Sequence, residues 1–312
     1  MKSLLILNKI KVENANPIAG MVYGFPAVTH FLGYIHALSR ELKGELKLEL
    51  GGCGIICHDF QVKSHKINGW GEHVFSLSKN PLNKDGSTPS FNEEGKVHME
   101  ISLVIECDFT ANDFNFDTND INLDIKKFEE LICQMALKKR LAGGIITSIS
   151  KVNFYQIPQV YDEKQKFFKK IFRKMLPGSV LQDRNEFLKN HLTNNPSMNS
   201  FDALLDFYVL KSKAGNLKVE NGIDKAEWSL DSKPERGWIV PIHVGYKAIS
   251  PLYEKGEVAC AREKNVPFRF VEPIYGLGEW MGLHRINDPK KIFWNYHYDN
   301  GKYLCINKLN VK

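Results

Sequence analysis

Ten residues, Val97 to Glu106, set the tightest limit on the fold. Val97, Met99, Ile101, Leu103 and Ile105 alternate with His98, Glu100, Ser102, Val104 and Glu106, and a period of two places the first set on one face of a strand. This predicts a sheet with one buried face, which needs an apolar partner layer. Two segments of helical period supply it. Val28, Phe31, Leu32, Ile35, Leu38 and Leu42 recur at three- and four-residue steps after Pro26, and Ile125, Phe128, Leu131, Ile132 and Met135 repeat the pattern ahead of Gly143-Gly144.

Further strands flank these helices. Ser3 to Val12 starts apolar and then alternates, Leu46, Leu48 and Leu50 lead into Gly51-Gly52-Cys53-Gly54 and Ile55-Ile56, and Ile145 to Ile149 follows the second helix. Between the second and third strands, Lys63 to Gly95 is polar and rich in Gly, Asn, Ser and Pro, too long for an ordinary turn. The order is β-α-β-β-α-β, which describes a ferredoxin-like fold, also the fold of the commonest RNA-recognition module.

The expected class is therefore α+β: a ferredoxin-like, RNA-recognition-type core over 1–155, with a projecting loop or hairpin at about 63–95. A helical insert and charged connection occupy 156–236. There Phe167, Phe168, Ile171, Phe172 and Met175 make one apolar face, Ser200 is placed to cap a helix from Phe201 to Leu210, and Lys211 to Arg236 reads as charged and strand-poor. A C-terminal β-rich segment, 237–312, is expected to pack on the core. Its strands are Trp238 to Val244, Pro267 to Val271, Ile292 to Tyr298 and Lys302 to Ile306, the last two joined at Asn300-Gly301.

Composition excludes several classes. At 43% hydrophobic and 25% charged, the chain is that of an ordinary folded protein. The apolar run Ser3 to Leu7 is too short for a signal peptide, and no run is long enough to span a bilayer, so a cytoplasmic protein without membrane contact is expected. The six cysteines are widely spaced and read as free thiols. Cys53, Cys57 and His58 offer a C-x3-C pair with no second pair, too little for a zinc site, so neither metal nor cofactor is expected. Gly276-Leu277-Gly278 lacks the rest of a nucleotide loop and reads as a tight backbone passage. A metal-independent ribonuclease could pair a His with a distant Lys, but nothing in the sequence selects such a pair. No catalytic residue is assigned.

Three segments suit nucleic acid. Lys79, Asn80, Asn83 and Lys84 combine cations with amides on the proposed projection. Arg262 to Phe270 interleaves cations with aromatics, and Arg285 adds a basic point after Trp280. The alternation of Phe268 and Phe270 fits equally a pair facing the core with Arg269 on solvent. The helix Lys164 to Lys174, with six basic residues, reads first as a solvated face.

A set of local motifs carries a family resemblance. It includes Gly24-Phe25-Pro26, Phe31-Leu32-Gly33-Tyr34-Ile35-His36-Ala37-Leu38, Gly54-Ile55-Ile56-Cys57-His58 and Asn80-Pro81-Leu82-Asn83-Lys84-Asp85-Gly86-Ser87-Thr88. It continues through Arg140-Leu141-Ala142-Gly143-Gly144, Trp238-Ile239-Val240-Pro241, Arg262 through Glu272 and Gly276-Leu277-Gly278-Glu279-Trp280. In order and almost end to end, these closely resemble the second Csy proteins, the Cas-five-type subunits of type I-F CRISPR surveillance complexes. Two stretches depart from that family, Ala19 to Tyr23 and Lys211 to Glu235.

The resemblance implies a non-catalytic subunit that binds the 5′ repeat-derived handle of the CRISPR RNA. It also implies a cap on the filament of repeated backbone subunits, made together with the large subunit, with target DNA near that end of the complex. Side-chain chemistry then assigns roles. Lys79, Asn80, Asn83 and Lys84 meet the handle or first guide nucleotides, Arg262, Arg269 and Arg285 take phosphates, Phe268 stacks, and Asn14 and Asn16 face base edges or a turn beside them. The competing expectation is a metal-independent CRISPR RNA-processing endoribonuclease of a related fold.

Overall fold

The computed structural model describes residues 1–114, 116, 120–220 and 223–310. The first half of the chain runs β1 (Ser3–Ala15), β2 (Ile18–Ala19), β3 (Val22–Tyr23), α1 (Val28–Leu46) and β4 (Leu50–Val62). Four short strands follow in the projecting segment: β5 (Ser64–Lys66), β6 (His73–Phe75), β7 (Leu77–Ser78) and β8 (Asn92–Glu93). β9 (Val97–Cys107), α2 (Ile121–Leu137), β10 (Arg140–Leu141) and β11 (Gly144–Gln156) complete that half.

The second half runs α3 (Tyr161–Lys174), β12 (Ser179–Asp183), α4 (Asn185–Asn194), α5 (Ser200–Leu205), β13 (Ser212–Glu220) and β14 (Ile223–Leu230). It ends with β15 (Ile239–Ala248), β16 (Val271–Gly282), β17 (Phe293–Asp299) and β18 (Lys302–Ile306). Among the described residues no helix is long and apolar enough to cross a membrane.

The molecule is α+β, built on one ten-stranded antiparallel sheet in the order β10-β11-β1-β9-β4-β12-β16-β15-β18-β17. β17 also returns to β4, so the strands from β4 to β17 close into a ring. One edge of β4 is shared to make this closure: Ile56 and Cys57 pair with β12, whereas Cys53 and Gly54 pair with β17. Glycine permits the close approach. A Cβ at Gly52 would lie 2.4 Å from Asn295 Oδ1, and one at Gly54 2.9 Å from Ile292 Cδ1.

Both faces of the central strands are covered. Leu5, Leu7, Ile101, Leu103 and Ile105 join the cluster with Phe31, Leu38 and Phe128 of α1 and α2. Leu4, Ile6 and Val104 point the other way, into a cluster with Phe168, Ile171 and Phe172 of α3. The expectation of a single buried face for Val97 to Glu106 is therefore corrected. Ser102 and Val104, on the nominally polar face, are fully buried: Val104 lies under the apolar side of α3, and Ser102 is bonded to Asn8 and His58.

Other expectations are also corrected. Within 156–236, β12 enters the main sheet beside the helices α3, α4 and α5. Lys211 to Arg236 is not strand-poor, since β13 and β14 form an antiparallel two-stranded ribbon. In β14, Ala226, Trp228 and Leu230 alternate with Lys225, Glu227 and Ser229, a strand pattern that the charged surroundings obscured. The cap of α5 is Asn199, whose Oδ1 accepts from the amides of Phe201 and Asp202, and not Ser200. The strand expected at Pro267 to Val271 lies further along, as β16. There Gly276 and Gly278 serve the tight passage read from the sequence: a Cβ at Gly276 would sit 2.3 Å from Asn185 Oδ1.

Candidate nucleic-acid interface

The projection leaves the sheet where β1, β4 and β9 end together. Asn14, in a left-handed conformation at φ 55°, accepts a hydrogen bond at Oδ1 from Lys63 Nζ at 3.0 Å. Its backbone N–H donates to His98 Nδ1 at 3.3 Å. Sequence reasoning found Asn14 and missed Lys63 and His98. His98 was visible only as a polar position of β9, and Lys63 only as the first residue of the excursion. Asn16 has a local job, because its Oδ1 accepts from Ile18 N–H at 2.9 Å and shapes the turn into β2.

On the projection, Lys79, Asn80 and Lys84 are exposed. Asn83 is tied into a small loop: its Nδ2 donates to Ser87 Oγ at 2.9 Å, and its carbonyl accepts from Gly86 N–H at 2.9 Å. Hydrogen bonds from the Ser87 hydroxyl and amide hold the Asp85 carboxyl below its ordinary range. The loop thus presents two cations around a fixed anion.

The C-terminal candidates lie on segments flanking β16. Arg262 and Arg285 are exposed. Arg269 and Arg285 lie beyond opposite ends of β16, whose twelve residues span roughly 40 Å. Arg269 is half-buried; its Nη1 donates to Tyr298 Oη at 3.2 Å, and its buried Nε has no partner among the described residues. Phe268 is half-buried and packs edge-on against Phe270 at 5.0 Å between centroids. On α3, Lys166, Lys169, Lys170, Arg173 and Lys174 are all exposed, opposite the buried Phe168 and Ile171.

The Cys53–Cys57–His58 group is occupied structurally. A register shift in β4 between Cys57 and Asp59 leaves His58 as the extra residue of a bulge. Its Nδ1 lies 2.7 Å from Pro177 O and its Nε2 2.7 Å from Ser102 Oγ. Burial pushes the Cys57 thiol up to about 12 and the Cys53 thiol further still, so neither is a thiolate near neutral pH. Among the described residues, no three His, Cys, Asp or Glu side chains group so as to hold a metal ion.

Beside that bulge lies a cleft of about 530 Å³ between the turn Ala19–Ala27 and the strands β4, β12, β15 and β16. Its aromatic wall is made by Phe25, packed edge-on against Trp280 at 4.8 Å, with Phe60 at 5.7 Å from Phe25 and Trp238 at 6.5 Å from Trp280. Sequence reading marked Trp280 as an aromatic near basic residues. It gave no means of bringing Trp280 together with Phe25 and Trp238.

Comparison with known proteins covers nearly the whole chain. The CRISPR-associated Csy2 family matches residues 5–305. The chain is also 35% identical over 320 residues to the CRISPR-associated protein Csy2 of Pseudomonas aeruginosa (strain UCBPP-PA14), with 97% of this chain and 94% of that protein covered. A match of that extent and identity means that the chain belongs to the Csy2 family of CRISPR-associated proteins, in agreement with the resemblance its sequence motifs carry.

Proposed function

We propose that this chain is a non-catalytic subunit of a type I-F CRISPR RNA-guided surveillance complex, and that it binds the 5′ repeat-derived handle of the guide RNA. In this reading it caps the filament of repeated backbone subunits together with the large subunit, with target DNA approaching the same end. The carrying observation is the polar corner of Asn14, Lys63 and His98 at the root of a projection tipped by Lys79 and Lys84. A strand of RNA laid across the sheet end meets amide, imidazole and ammonium groups there. That is the mixture needed to hold phosphates and reach base edges.

The core reads as ferredoxin-like in support of this. Its strands lie in the order β11-β1-β9-β4, with α1 between β1 and β4 and α2 between β9 and β11 in the chain. It departs from an open RNA-recognition sheet in that α3 covers part of the second face. Contact with RNA is thereby shifted from the sheet centre to its end. Residues 1–155 act as the recognition unit, 156–236 as the insert and 237–312 as the segment that completes the strand ring.

An electrophoretic shift with RNA carrying the repeat-derived 5′ end tests the reading. Binding should depend on the handle sequence. Replacing Lys84 with Ala should lower the slope of log K against log salt by about one unit per lost phosphate contact. Binding indifferent to the handle would remove the specific claim. Accurate cleavage of precursor RNA by this chain alone would favour a processing endoribonuclease instead.

A further inference from the structure

The cleft beside the His58 bulge has a chemistry that the sheet-end corner does not share. Its wall is aromatic, from Phe25, Phe60, Trp238 and Trp280, and no Lys or Arg lines it. A phosphate therefore has no counter-charge inside. Polar groups in the lining include the Ser179 hydroxyl, the exposed Asp59 carboxylate and the rings of His58 and His243, the His58 ring being already bonded to Pro177 O and Ser102 Oγ. Asp59 Oδ1 accepts from the Phe60 amide at 2.9 Å, which fixes the carboxylate. Its Oδ2 has no partner among the described residues. A volume of about 530 Å³ falls in the range of small-ligand pockets and exceeds what one base with its ribose requires.

We infer that the cleft receives one unstacked nucleobase of a bound RNA strand, and that it favours bases with an exocyclic amine over uracil. The inference rests on the RNA-holding function proposed above and names a subsite for it. The aromatic wall offers stacking or edge contacts that any base satisfies. The acceptor-only carboxylate discriminates: it accepts from the amine of cytosine or adenine and faces the carbonyl O4 of uracil with like polarity. With no Lys or Arg in the lining, the phosphates stay outside. Lys63, the residue following β4, is bonded to Asn14 at the sheet-end corner. The bulge at His58 links these features, because the extra residue is spent bridging Ser102 and Pro177 while Asp59 lines the cleft.

The test uses the full-length chain and the octanucleotides rA8, rC8 and rU8, with binding read by quenching of tryptophan fluorescence and by gel shift. The expected result is that rA8 and rC8 bind roughly tenfold more tightly than rU8. Asp59→Asn should abolish that gap. Trp238→Ala, at a site 65% exposed and so of small consequence for folding, should weaken all three by roughly tenfold. Equal affinities in the unmodified chain, or a gap that survives Asp59→Asn, overturn the inference. Binding of handle RNA that is unaffected by both substitutions removes the base pocket and leaves the RNA-holding function standing. Failure to bind any RNA removes both. Shielding of Trp238 by the purified large subunit without RNA would assign the cleft to a protein partner and overturn the inference as well.

Discussion

β9 and the β13–β14 ribbon are both antiparallel strands, yet they occupy opposite ends of a scale of burial. From Ile101 to Ile105 every residue of β9 is buried, because α1 and α2 lie on one face and α3 on the other. In the ribbon, Lys213, Asn216, Glu227 and Trp228 are exposed, and the local ties are polar, such as Asn216 Nδ2 donating to Glu227 Oε2 at 2.6 Å. A sheet ladder alone therefore does not fix how much stability a strand carries. The layers laid on it decide that, since apolar burial contributes about 25 cal/mol per Å² and a net hydrogen bond only about 1 kcal/mol.

The contrast is broken most decisively at Phe128. This fully buried ring stacks on Phe114 at 4.3 Å and meets Phe154 edge-on at 5.4 Å. Phe128→Ala should cost about 3–5 kcal/mol by transfer and cavity terms, read as a lowered midpoint in urea denaturation. A loss below about 1 kcal/mol would mean that the helix layer is not what stabilises the inner strands. The strand ring comes next. A Cβ at Gly245 would lie 1.9 Å from the Tyr303 carbonyl oxygen, where β15 pairs with β18. Gly245→Ala should cost about 1–3 kcal/mol, because backbone gives way less readily than a side chain.

The same scale explains what was legible in the sequence. Hydrophobic period reports asymmetry of burial: it revealed α1, α2 and the first half of β9, where one side is covered and the other is not. In the ribbon the alternation of Ala226, Trp228 and Leu230 marks no buried face, since the described residues there are mostly exposed. The period misread Ser102 and Val104, where both sides are covered. Local backbone chemistry was legible too, as at Asn300-Gly301, whose positive φ values of 46° and 77° make the β17–β18 turn. Non-local closure was not. The pairing of β17 with β4 rests on Phe293 facing Gly54 and Trp294 facing Cys53, which no local pattern encodes. The candidate site divides in the same way. Asn14 and the cations of the projection could be picked out one by one, whereas Lys63 and His98 acquire meaning only when three strand ends meet. The cleft needs residues as distant in the chain as Phe25 and Trp280.

Acid sharpens the comparison at a smaller scale. Burial lowers the pKa of His30 and of His243 from the ordinary 6.5, with the two rings also repelling each other's charge. The unfolded chain then binds these protons at higher pH than the folded one. The contribution is fully present above about 6.5 and is lost as pH falls from there through the lower folded values. Urea midpoints should drop between about pH 7.5 and about pH 5.5, and His243→Leu should flatten part of that slope. A profile equally steep in the variant would show that other groups carry it.

The smallest effect belongs to the ribbon. Trp228 is 71% exposed, so removing its ring takes little apolar surface out of contact with the protein. Trp228→Ser should change stability by less than about 0.5 kcal/mol, against several for Phe128→Ala, although both remove a large aromatic side chain. A loss near 2 kcal/mol would mean that the ring packs on the body of the molecule in solution and that the ribbon is not a free-standing element. If the small effect holds in the isolated chain but grows when the large subunit is present, the ribbon is a contact surface for that assembly. Its neutral behaviour alone would then reflect the missing covering layer that β9 already has.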